Sequence, residues 1–423
     1  MSTGTLALII AIAILAQIVA AVSIALWRRF GNRHDSRVTG SNIGDSQEQA
    51  SAISPPRDRA AWEGFKPFRV AKRVQENAAG DILSFYLEPE TPMTLAPFKP
   101  GQFLTLMFEL PGQGHDAMRK VIRCYSLSDR PHPDHYRITV KRVPAPSGEP
   151  AVPPGLVSNH LHERVREGDI LMVKPPSGHF HLIEEPALPL VLIAGGIGIT
   201  PMLSILNTLL AQASGREIWL FYGVRNGREA IMHRTLLEMA QSHSRFHLHL
   251  CYSRADADDR AGVDYQHTGH VDVALLQQVL KLGRYQYYVC GPAVMMESIV
   301  PGLEALGIAV GDIHYEAFGP ATLSRPKQVA EPALAEAADH WRVNFGRSGK
   351  SVEWNGTYDS LLSLAEAEGV DVVSGCRAGS CGSCQTRIEA GEVDYNQEPD
   401  ADPEAGHCLL CISRPKSDLT LAV

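Results

Sequence analysis

The chain has 423 residues, 44% hydrophobic and 20% charged, and this ordinary globular composition excludes a protein that is disordered or fibrous over most of its length. The net charge of −8 excludes the basic footprint of a nucleic-acid-binding protein. Five of its eight cysteines lie between Cys376 and Cys411, and this clustering indicates metal ligation in a reducing compartment rather than disulfide bonds.

Residues 5–27 form an uncharged, strongly apolar run that is long enough to cross a bilayer as a helix. A cleaved signal peptide is the alternative, but it needs a positive segment before its apolar core, and no Lys or Arg precedes this run. The run is followed by Arg28, Arg29, Arg33 and Arg37. The positive-inside rule therefore predicts a single-pass N-terminal membrane anchor with the catalytic part in the cytoplasm. The polar residues 28–60, which show no sustained period, are predicted to form a flexible tether.

Residues 61–186 contain short runs of alternating polar and apolar residues between turn signals, which predicts an antiparallel β-barrel. Examples of the expected strands lie at 68–74, 82–88, 103–110 and 136–143. In the segment RCYSLS, Arg123 and Tyr125 share one face of a strand. The guanidinium can bind a phosphate and the phenol ring can pack on a planar group. A half-buried strand with polar edges explains the same pattern.

The segment GLVSNHL begins at Gly155 and has the pattern of a helix start. Ser158 is expected to be its N-cap, and the amides of such a helix N-terminus suit a phosphate. A plain capped helix without a ligand is the alternative.

Strands and helices alternate over residues 187–320, which predicts a doubly wound parallel α/β sheet. Its strands are expected at 188–194, 218–224, 246–253, 285–292 and 312–320, with helices at 271–282 and 293–306. The segment GGIGITPM, from Gly195, follows a strand and opens a helix. Backbone amides in such a turn can approach a pyrophosphate.

The motifs RCYSLS, ITVKR, GLVSNHL, GGIGITPML, YVCGP and HYEAFGP occur in this order between about residues 60 and 320. Together they resemble the ferredoxin–NADP reductase superfamily, and most closely the reductase half of the flavohaemoglobins. The resemblance implies FAD bound to the barrel and a nicotinamide nucleotide bound to the parallel sheet. One departure is Phe103, which stands where flavohaemoglobins often have Tyr.

The resemblance also implies roles for single residues on the flavin side. Arg123 would bind phosphate, Tyr125 would pack on the isoalloxazine, and Ser126 would lie near flavin N5. The start of the phosphate-binding helix is matched by Gly155, Val157 and Ser158. The segment that closes over the flavin is matched by Phe318, Gly319 and Pro320.

On the nucleotide side, the resemblance implies a binding loop made by Gly195, Gly196, Gly198, Thr200 and Pro201. The segment beside the nicotinamide is matched by Cys290, Gly291 and Pro292. Ser126, Cys290 and Phe318 are therefore the residues expected beside the reacting atoms.

The choice between the two nicotinamide nucleotides depends on the residues after the strand at 246–253. Ser253 and Arg254 can hold a 2′-phosphate, but Asp256, Asp258 and Asp259 follow and would repel it. Acidic neighbours suit a free ribose hydroxyl, which favours NADH over NADPH.

The Pro- and Ala-rich residues 321–338 are predicted to form a linker to a last domain at 339–423. There Cys376, Cys381 and Cys384 have the C-x4-C-x2-C spacing of plant-type [2Fe–2S] sites. A zinc site is the alternative, but its usual spacing differs. Resemblance to plant-type ferredoxins implies a β-grasp (α+β) fold and Cys411 as the fourth ligand, with Cys408 as the alternative.

The complete arrangement resembles oxygenase reductases that carry a C-terminal ferredoxin domain. Some of these use FMN, whereas the flavohaemoglobin-like barrel favours FAD here. The expected function is NAD(P)H-dependent electron transfer through FAD and the [2Fe–2S] cluster to a redox partner, namely an oxygenase, hydroxylase or desaturase. Two alternatives remain: a stand-alone reductase of a quinone or ferric chelate, and a redox sensor without turnover.

Overall fold

In the computed structural model, the chain is described over residues 62–111, 118–145, 153–184, 188–317, 340–397, 399 and 401–423. The predicted anchor at 5–27, tether at 28–60 and linker at 321–338 lie outside these residues, as do Phe318, Gly319 and Pro320. Within the described ranges, no helix is both long enough and apolar enough to cross a bilayer.

The first sheet has six antiparallel strands in the order β4-β3-β6-β1-β2-β5. The strands are β1 (Lys66–Gln75), β2 (Ile82–Pro89), β3 (Phe103–Pro111), β4 (Met118–Ser126), β5 (Tyr136–Lys141) and β6 (Ile170–Val173). A bridge between Leu127 and Ile138 joins the two edges and closes the barrel. The short helix α1 (Leu156–Glu163) precedes β6. The alternating runs in the sequence form the predicted strands, whereas β6 was not predicted because four residues carry almost no periodicity.

The second sheet has six parallel strands in the order β10-β9-β8-β7-β11-β12. The strands are β7 (Leu190–Gly195), β8 (Ile218–Val224), β9 (Phe246–Tyr252), β10 (His267–Thr268), β11 (Gln286–Gly291) and β12 (Ile313–Ala317). The helices are α2 (Ile199–Ala211), α3 (His233–Ser242), α4 (Val273–Val279) and α5 (Ala293–Ala305). Every residue of β7 and β11 is buried, which explains why β7 is continuously apolar and β11 is apolar after Gln286. Helix α3 was not predicted because only Leu236 of its ten residues is fully buried.

The third sheet is mixed and has the order β14-β13-β19-β15-β17, beside a small β16-β18 pair. The strands are β13 (Trp341–Phe345), β14 (Lys350–Trp354), β15 (Gln385–Ala390), β16 (Val393–Tyr395), β17 (His407–Leu409), β18 (Ser413–Pro415) and β19 (Leu419–Leu421). Strand β13 pairs antiparallel with β14 as a hairpin and parallel with the last strand, β19. The helix α6 (Leu361–Ala367) is capped by Ser360, whose side chain accepts a hydrogen bond from the Ser363 amide. This arrangement agrees with the predicted α+β class.

Polar contacts join the barrel to both of its neighbours. The Ser204 hydroxyl and the Asn207 amide, both on α2, donate to Asp129 at the end of the barrel, each over 2.8 Å. On another part of the barrel, the Lys174 ammonium donates to the Cys381 carbonyl over 2.9 Å. The barrel therefore contacts the parallel sheet on one side and the cysteine-rich loop on the other.

Candidate functional site

Strand β4 carries the two residues predicted to bind the flavin. Arg123 and Tyr125 alternate along the strand and so share a face, as predicted. The Arg123 side chain is exposed, and its Nη1 donates to the Ile122 carbonyl over 2.7 Å. The remaining guanidinium donors face solvent and suit a phosphate. Tyr125 is half-buried against the barrel core, and this burial raises the pKa of its phenol, so the ring stays neutral.

Helix α1 begins one turn earlier than the sequence predicted. Gly155 is the N-cap, so the expectation that Ser158 is the cap is wrong. The Ser158 hydroxyl instead donates to the Gly155 carbonyl over 3.2 Å and accepts from the Val143 amide over 3.3 Å, which ties the helix start to the chain after β5. A Cβ at Gly155 would lie 2.7 Å from the Ser158 Oγ. Val157 is buried in the barrel core, so only its backbone can face a ligand.

The first-turn amides of α1 have no intrahelical acceptors, and an anion is a suitable partner for them. Gly155, Val157 and Ser158 therefore fit a phosphate through their backbone. The side chain of Ser158 is already engaged with Gly155 and Val143.

The glycine-rich turn after β7 lies directly against the end of β11, so two separate sequence motifs meet here. A Cβ at Gly198 would come within 2.2 Å of the Cys290 carbonyl oxygen, and one at Gly195 within 2.7 Å of Pro292. Gly196 has a φ of 53°, a conformation that L side chains rarely adopt. The close contact follows from the pairing of β7 with β11 in the parallel sheet. These glycines keep the backbone accessible to a pyrophosphate.

Thr200 and Pro201 lie in the first turn of α2. The Thr200 hydroxyl donates to the Ile197 carbonyl over 3.0 Å and is buried, so this side chain stabilises the turn. Pro201 suits the first turn because its missing amide would have no helical acceptor there. The helix start is therefore held rigidly behind the glycines.

A carboxyl that is not among the predicted site residues lies at the centre of the site. Glu316 on β12 is paired in register with Cys290 on β11, and the Ser126 hydroxyl donates to Glu316 Oε2 over 3.4 Å. Burial raises the pKa of Glu316 to about 8, although the Ser126 hydrogen bond opposes this shift. Burial and the nearby Glu316 raise the pKa of the Cys290 thiol. Near neutral pH both groups are therefore mostly protonated and uncharged.

Glu316 lies in the HYEAFGP motif, but no local feature of the sequence marks it as a partner of Ser126 or Cys290. The structure brings Ser126 and Cys290 to it from separate domains. The third residue expected at the reacting atoms, Phe318, lies outside the described residues.

Part of the acidic segment after β9 has a structural role. The Asp259 carboxylate accepts hydrogen bonds from the backbone amides of Asp256, over 2.7 Å, and Gly227, over 3.3 Å. Asp258 and Asp259 also line a cleft that contains Arg228 and Arg260. The charge around this cleft is mixed, so the preference for NADH stays a prediction.

The cysteine-rich loop directs backbone amides at sulfur atoms. The Cys376 Sγ accepts from the amides of Ala378, Ser380 and Cys381 over 3.3–3.4 Å. The Cys411 Sγ accepts from the Gly379 amide over 3.4 Å, and the Cys381 Sγ from the Cys376 amide over 3.3 Å. Amides aimed at thiolates stabilise the negative charge of an iron–sulfur centre, so this cradle fits a cluster.

The four sulfurs are arranged as two pairs. The neighbouring Cys381 raises the pKa of the Cys376 thiol, and the neighbouring Cys411 lowers the pKa of the Cys384 thiol. In the described part of the chain, no three His, Cys, Asp or Glu side chains form a group that could hold a metal ion. Two pairs fit a centre with two irons better than one tetrahedral zinc ion. These are the four cysteines predicted as ligands.

Cys408, the alternative fourth ligand, lies elsewhere. It is fully buried in the core of the third sheet, opposite Thr386 on the neighbouring strand. Burial raises the pKa of its thiol to about 12, and Ser413 provides a side-chain hydrogen bond. The arrangement therefore favours Cys411 as the residue that would hold the second iron.

Three family models match this chain, one for each sheet. They are the oxidoreductase FAD-binding domain over residues 68–182, the oxidoreductase NAD-binding domain over 192–300 and the 2Fe-2S iron-sulfur cluster binding domain over 344–416. Each match lies within the corresponding predicted domain.

Individual relatives match mainly the first two domains. A flavohemoprotein of Halalkalibacterium halodurans is 40% identical over 260 residues, which are 62% of this chain and 61% of that protein. The chain thus spans less than two thirds of that relative. The flavohem-like FAD/NAD-binding domain of a nitric oxide dioxygenase from Vibrio cholerae is 31% identical, with a TM-score of 0.52, over 61% of this chain and 100% of that chain.

One similar structure extends over the third domain as well. An intact type IV self-sufficient cytochrome P450 monooxygenase is 23% identical, with a TM-score of 0.54, and is matched over 85% of this chain and 41% of its own. At this identity, the likeness shows the fold alone.

The three domains and their sites define the class: the chain is an NAD(P)H-dependent FAD/[2Fe–2S] oxidoreductase. Its cofactors are FAD, NADH or NADPH, and a [2Fe–2S] cluster. When bound, FAD accepts a hydride from the nicotinamide and releases single electrons, which the cluster can carry.

Proposed function

We propose that this oxidoreductase transfers electrons from NADH through FAD and the [2Fe–2S] cluster to a partner oxygenase, hydroxylase or desaturase. A membrane anchor at residues 5–27 would hold it at the cytoplasmic surface. The proposal rests on the resemblance to oxygenase reductases and on the arrangement of the two candidate centres.

The packing of the cysteine-rich loop on the flavin strand is the observation that carries the proposal. A Cβ at Gly375, in the cysteine-rich loop, would lie 3.2 Å from the Ile122 side chain on β4. The Lys174 ammonium, just after β6, donates to the carbonyl of Cys381, a candidate cluster ligand, over 2.9 Å. Tyr125, the predicted isoalloxazine contact, lies on the same strand as Ile122. The two centres would therefore be separated by little more than one strand, which suits direct electron transfer between them.

The other side of the loop offers an exit for electrons. Val373, just before the first ligand, is 45% exposed, and Ala378, inside the loop, is also exposed. A cluster covered on one side by the barrel and accessible on the other suits a protein acceptor better than a closed redox sensor.

Anaerobic titration of the purified protein with NADH, and separately with NADPH, tests the relay. We expect NADH to bleach the flavin absorbance and then to produce the EPR signal of a reduced [2Fe–2S] cluster, at a lower concentration than NADPH does. Flavin bleaching without a cluster signal, in protein shown to contain iron and sulfide, would contradict the relay.

An assay of electron acceptors separates a protein-directed reductase from the stand-alone alternative. The acceptors tested are cytochrome c, a soluble quinone and ferric citrate. Fast turnover with the quinone or ferric citrate alone favours the alternative.

The proposed anchor has its own test. The full chain is expected to sediment with membranes after a high-salt wash, whereas a chain lacking residues 1–28 is expected to remain in the supernatant. The reason is that the uncharged run is long enough to span the hydrocarbon core. Equal recovery of both proteins in the supernatant would exclude an anchor at residues 5–27. Protease treatment of inverted and right-side-out vesicles reports the orientation that the following arginines predict.

A further inference from the structure

The turn that follows strand β4 joins the flavin barrel to the nucleotide domain. Asp129 lies three residues after Ser126, which is predicted to lie near flavin N5. The Ser204 hydroxyl donates to the Asp129 backbone carbonyl over 2.8 Å, and Asn207 Nδ2 donates to Asp129 Oδ1 over 2.8 Å. Ser204 and Asn207 are three residues apart on α2 and so share one face of the helix. Asp129 therefore binds the helix that follows the nucleotide turn through both its backbone and its side chain.

On the barrel side, Asp129 is held by a buried arginine. Arg137 Nη1 lies 3.2 Å from Asp129 Oδ2, and the Arg137 side chain is only 7% exposed. The same guanidinium donates to the Ser128 carbonyl, and its Nε donates to the Ser128 hydroxyl over 3.2 Å. The Thr139 hydroxyl also donates to the Ser128 hydroxyl, over 2.8 Å. An ion pair supported by further buried hydrogen bonds has little freedom, so the Asp129 carboxylate faces α2 in one orientation.

Helix α2 connects this contact with the nucleotide turn. The helix begins at Ile199, directly after the glycine-rich turn, and Ser204 lies five residues later. At a rise of about 1.5 Å per residue, the separation is about 8 Å along the helix axis. The apolar residues of α2 are packed in the core of the nucleotide domain, so the helix and the turn move as one body. The contact with Asp129 therefore sets where the nucleotide turn lies relative to the flavin strand.

Other contacts between the same two domains lie at the opposite end of β5 from Arg137. The Lys141 ammonium lies 3.6 Å from Glu229 Oε2, and the Ala79 amide donates to the Arg228 carbonyl over 2.9 Å. Neither contact involves Asp129 or α2, so both remain when the Asp129 contact is lost. Loss of that contact would therefore change the orientation of the two domains rather than separate them.

We propose that Asp129 is a positioning residue for hydride transfer: by binding Ser204 and Asn207, it sets the distance between the nicotinamide and the flavin. In this step a hydride, one proton with two electrons, passes from nicotinamide C4 to flavin N5, which oxidises the nucleotide and reduces the flavin. A misplacement of about 1 Å is enough to slow such a step. The nucleotide turn itself lies within one domain, so the contact affects the rate of transfer and not the affinity for the nucleotide.

Replacing Asn207 tests the contact in the purified, FAD-loaded protein. Asn207→Asp puts a second carboxylate where an amide now donates to Asp129, so the two side chains repel. We expect the limiting rate of flavin reduction, measured by anaerobic stopped flow with the faster of NADH and NADPH, to fall about tenfold, since the remaining contacts limit the displacement. The dissociation constant of the oxidised nucleotide is expected to change by less than about twofold, because the nucleotide turn is unaltered.

A double variant shows whether the effect comes from this contact. In Asp129→Asn with Asn207→Asp, the amide at position 129 can donate to the carboxylate at position 207, while its oxygen still accepts from Arg137. The rate is expected to return to within about threefold of the wild-type value. The matched control is Asn344→Asp, which adds the same charge at a half-buried asparagine that bonds Thr420 within the third domain. Its rate of flavin reduction should equal that of the wild-type protein.

Hydrogen–deuterium exchange of the oxidised protein without nucleotide gives a readout that does not depend on turnover. The Arg130 amide donates to Asp129 Oδ1 over 2.8 Å, so it reports directly on the carboxylate. Peptides that contain residues 128–131 are expected to exchange faster in Asn207→Asp, because the turn loses the helix that holds it. In the double variant they should exchange at the wild-type rate.

A wild-type limiting rate in Asn207→Asp, or a double variant as slow as the single one, would overturn the proposal. Weaker nucleotide binding with an unchanged limiting rate would also overturn it, since the contact would then only support the nucleotide turn. If Asn207→Asp does not fold, Asn207→Ala removes the donor without adding a charge, and a wild-type rate in that variant refutes the proposal. The electron relay fails differently: the wild-type flavin is reduced but the cluster is not, and the comparison of flavin reduction rates is unaffected.

Discussion

Cys411→Ala is expected to remove the [2Fe–2S] cluster almost completely, with a loss of at least tenfold in bound iron and in EPR signal. The Cys411 sulfur lies beside Cys384 and accepts a hydrogen bond from the Gly379 amide. It therefore completes the second pair of ligands. An alanine leaves one iron with a single protein ligand. Reduction of the flavin by NADH should be unaffected, because the nucleotide loop and the flavin strand belong to other domains. Iron and sulfide analysis together with EPR measures the effect.

Cys408→Ala is the matched control, since it truncates a buried thiol three residues away. This side chain contributes to the core of the third sheet and not to the amide-lined loop. We expect normal iron content and a free energy of unfolding lower by about 1 kcal/mol, the typical effect of a single buried substitution. Loss of the cluster from Cys408→Ala with retention in Cys411→Ala would reverse the ligand assignment.

Gly198→Ala is expected to lower kcat/KM for NADH by at least 100-fold, about 2.7 kcal/mol of transition-state stabilisation. The new Cβ would lie 2.2 Å from the Cys290 carbonyl oxygen and 2.8 Å from the Gly291 nitrogen. Both are backbone atoms, so no side-chain rotation can relieve the contact. The nucleotide loop must therefore move away from the segment expected beside the nicotinamide. Anaerobic stopped-flow measurement of flavin bleaching by NADH reports the effect.

Gly311→Ala provides the comparison for this substitution. It lies in the same domain, and a Cβ there would meet nothing within 4 Å. Its rate with NADH is expected to equal that of the wild-type protein. Photochemical reduction of the flavin, which bypasses NADH, should be normal in both variants and so shows that the flavin and cluster domains are intact. A near-normal rate with NADH in Gly198→Ala would show that the close approach of Gly198 to the Cys290 carbonyl is not needed for nucleotide binding.

Local sequence patterns were sufficient for most strands. The strand predicted at 218–224 has the same bounds in the structure, and those at 82–88 and 103–110 differ by one residue at one end. These runs are periodic or continuously apolar over seven or more residues, which is the length at which the pattern is clear. The four-residue β6 and the mostly exposed α3 lack such a pattern and were missed. The N-cap of α1 was also misplaced, because Ser158 bonds with Gly155 and Val143 instead of capping the helix.

The spacing of the cysteines also predicted the cysteine-rich loop. Three ligands within nine residues must bind the same centre, and this holds whatever the surrounding fold. Spacing did not distinguish Cys408 from Cys411. The distinction depends on which sulfur faces the Gly379 amide and which enters the core of the third sheet.

Local sequence patterns do not predict contacts between distant segments of the chain. Three contacts join residues far apart in the chain: the pairing of β13 with β19, the position of Glu316 beside Ser126 and Cys290, and the hydrogen bond from Lys174 to the Cys381 carbonyl. Composition, periodicity and spacing predicted the three domains and three of the candidate cluster ligands, because these depend on neighbours in sequence. The resemblance to known reductases implied FAD, the nicotinamide nucleotide and the fourth ligand. The positions of Glu316 and Lys174 depend on how separately folded sheets pack together, and packing of that kind leaves no periodic pattern in the sequence.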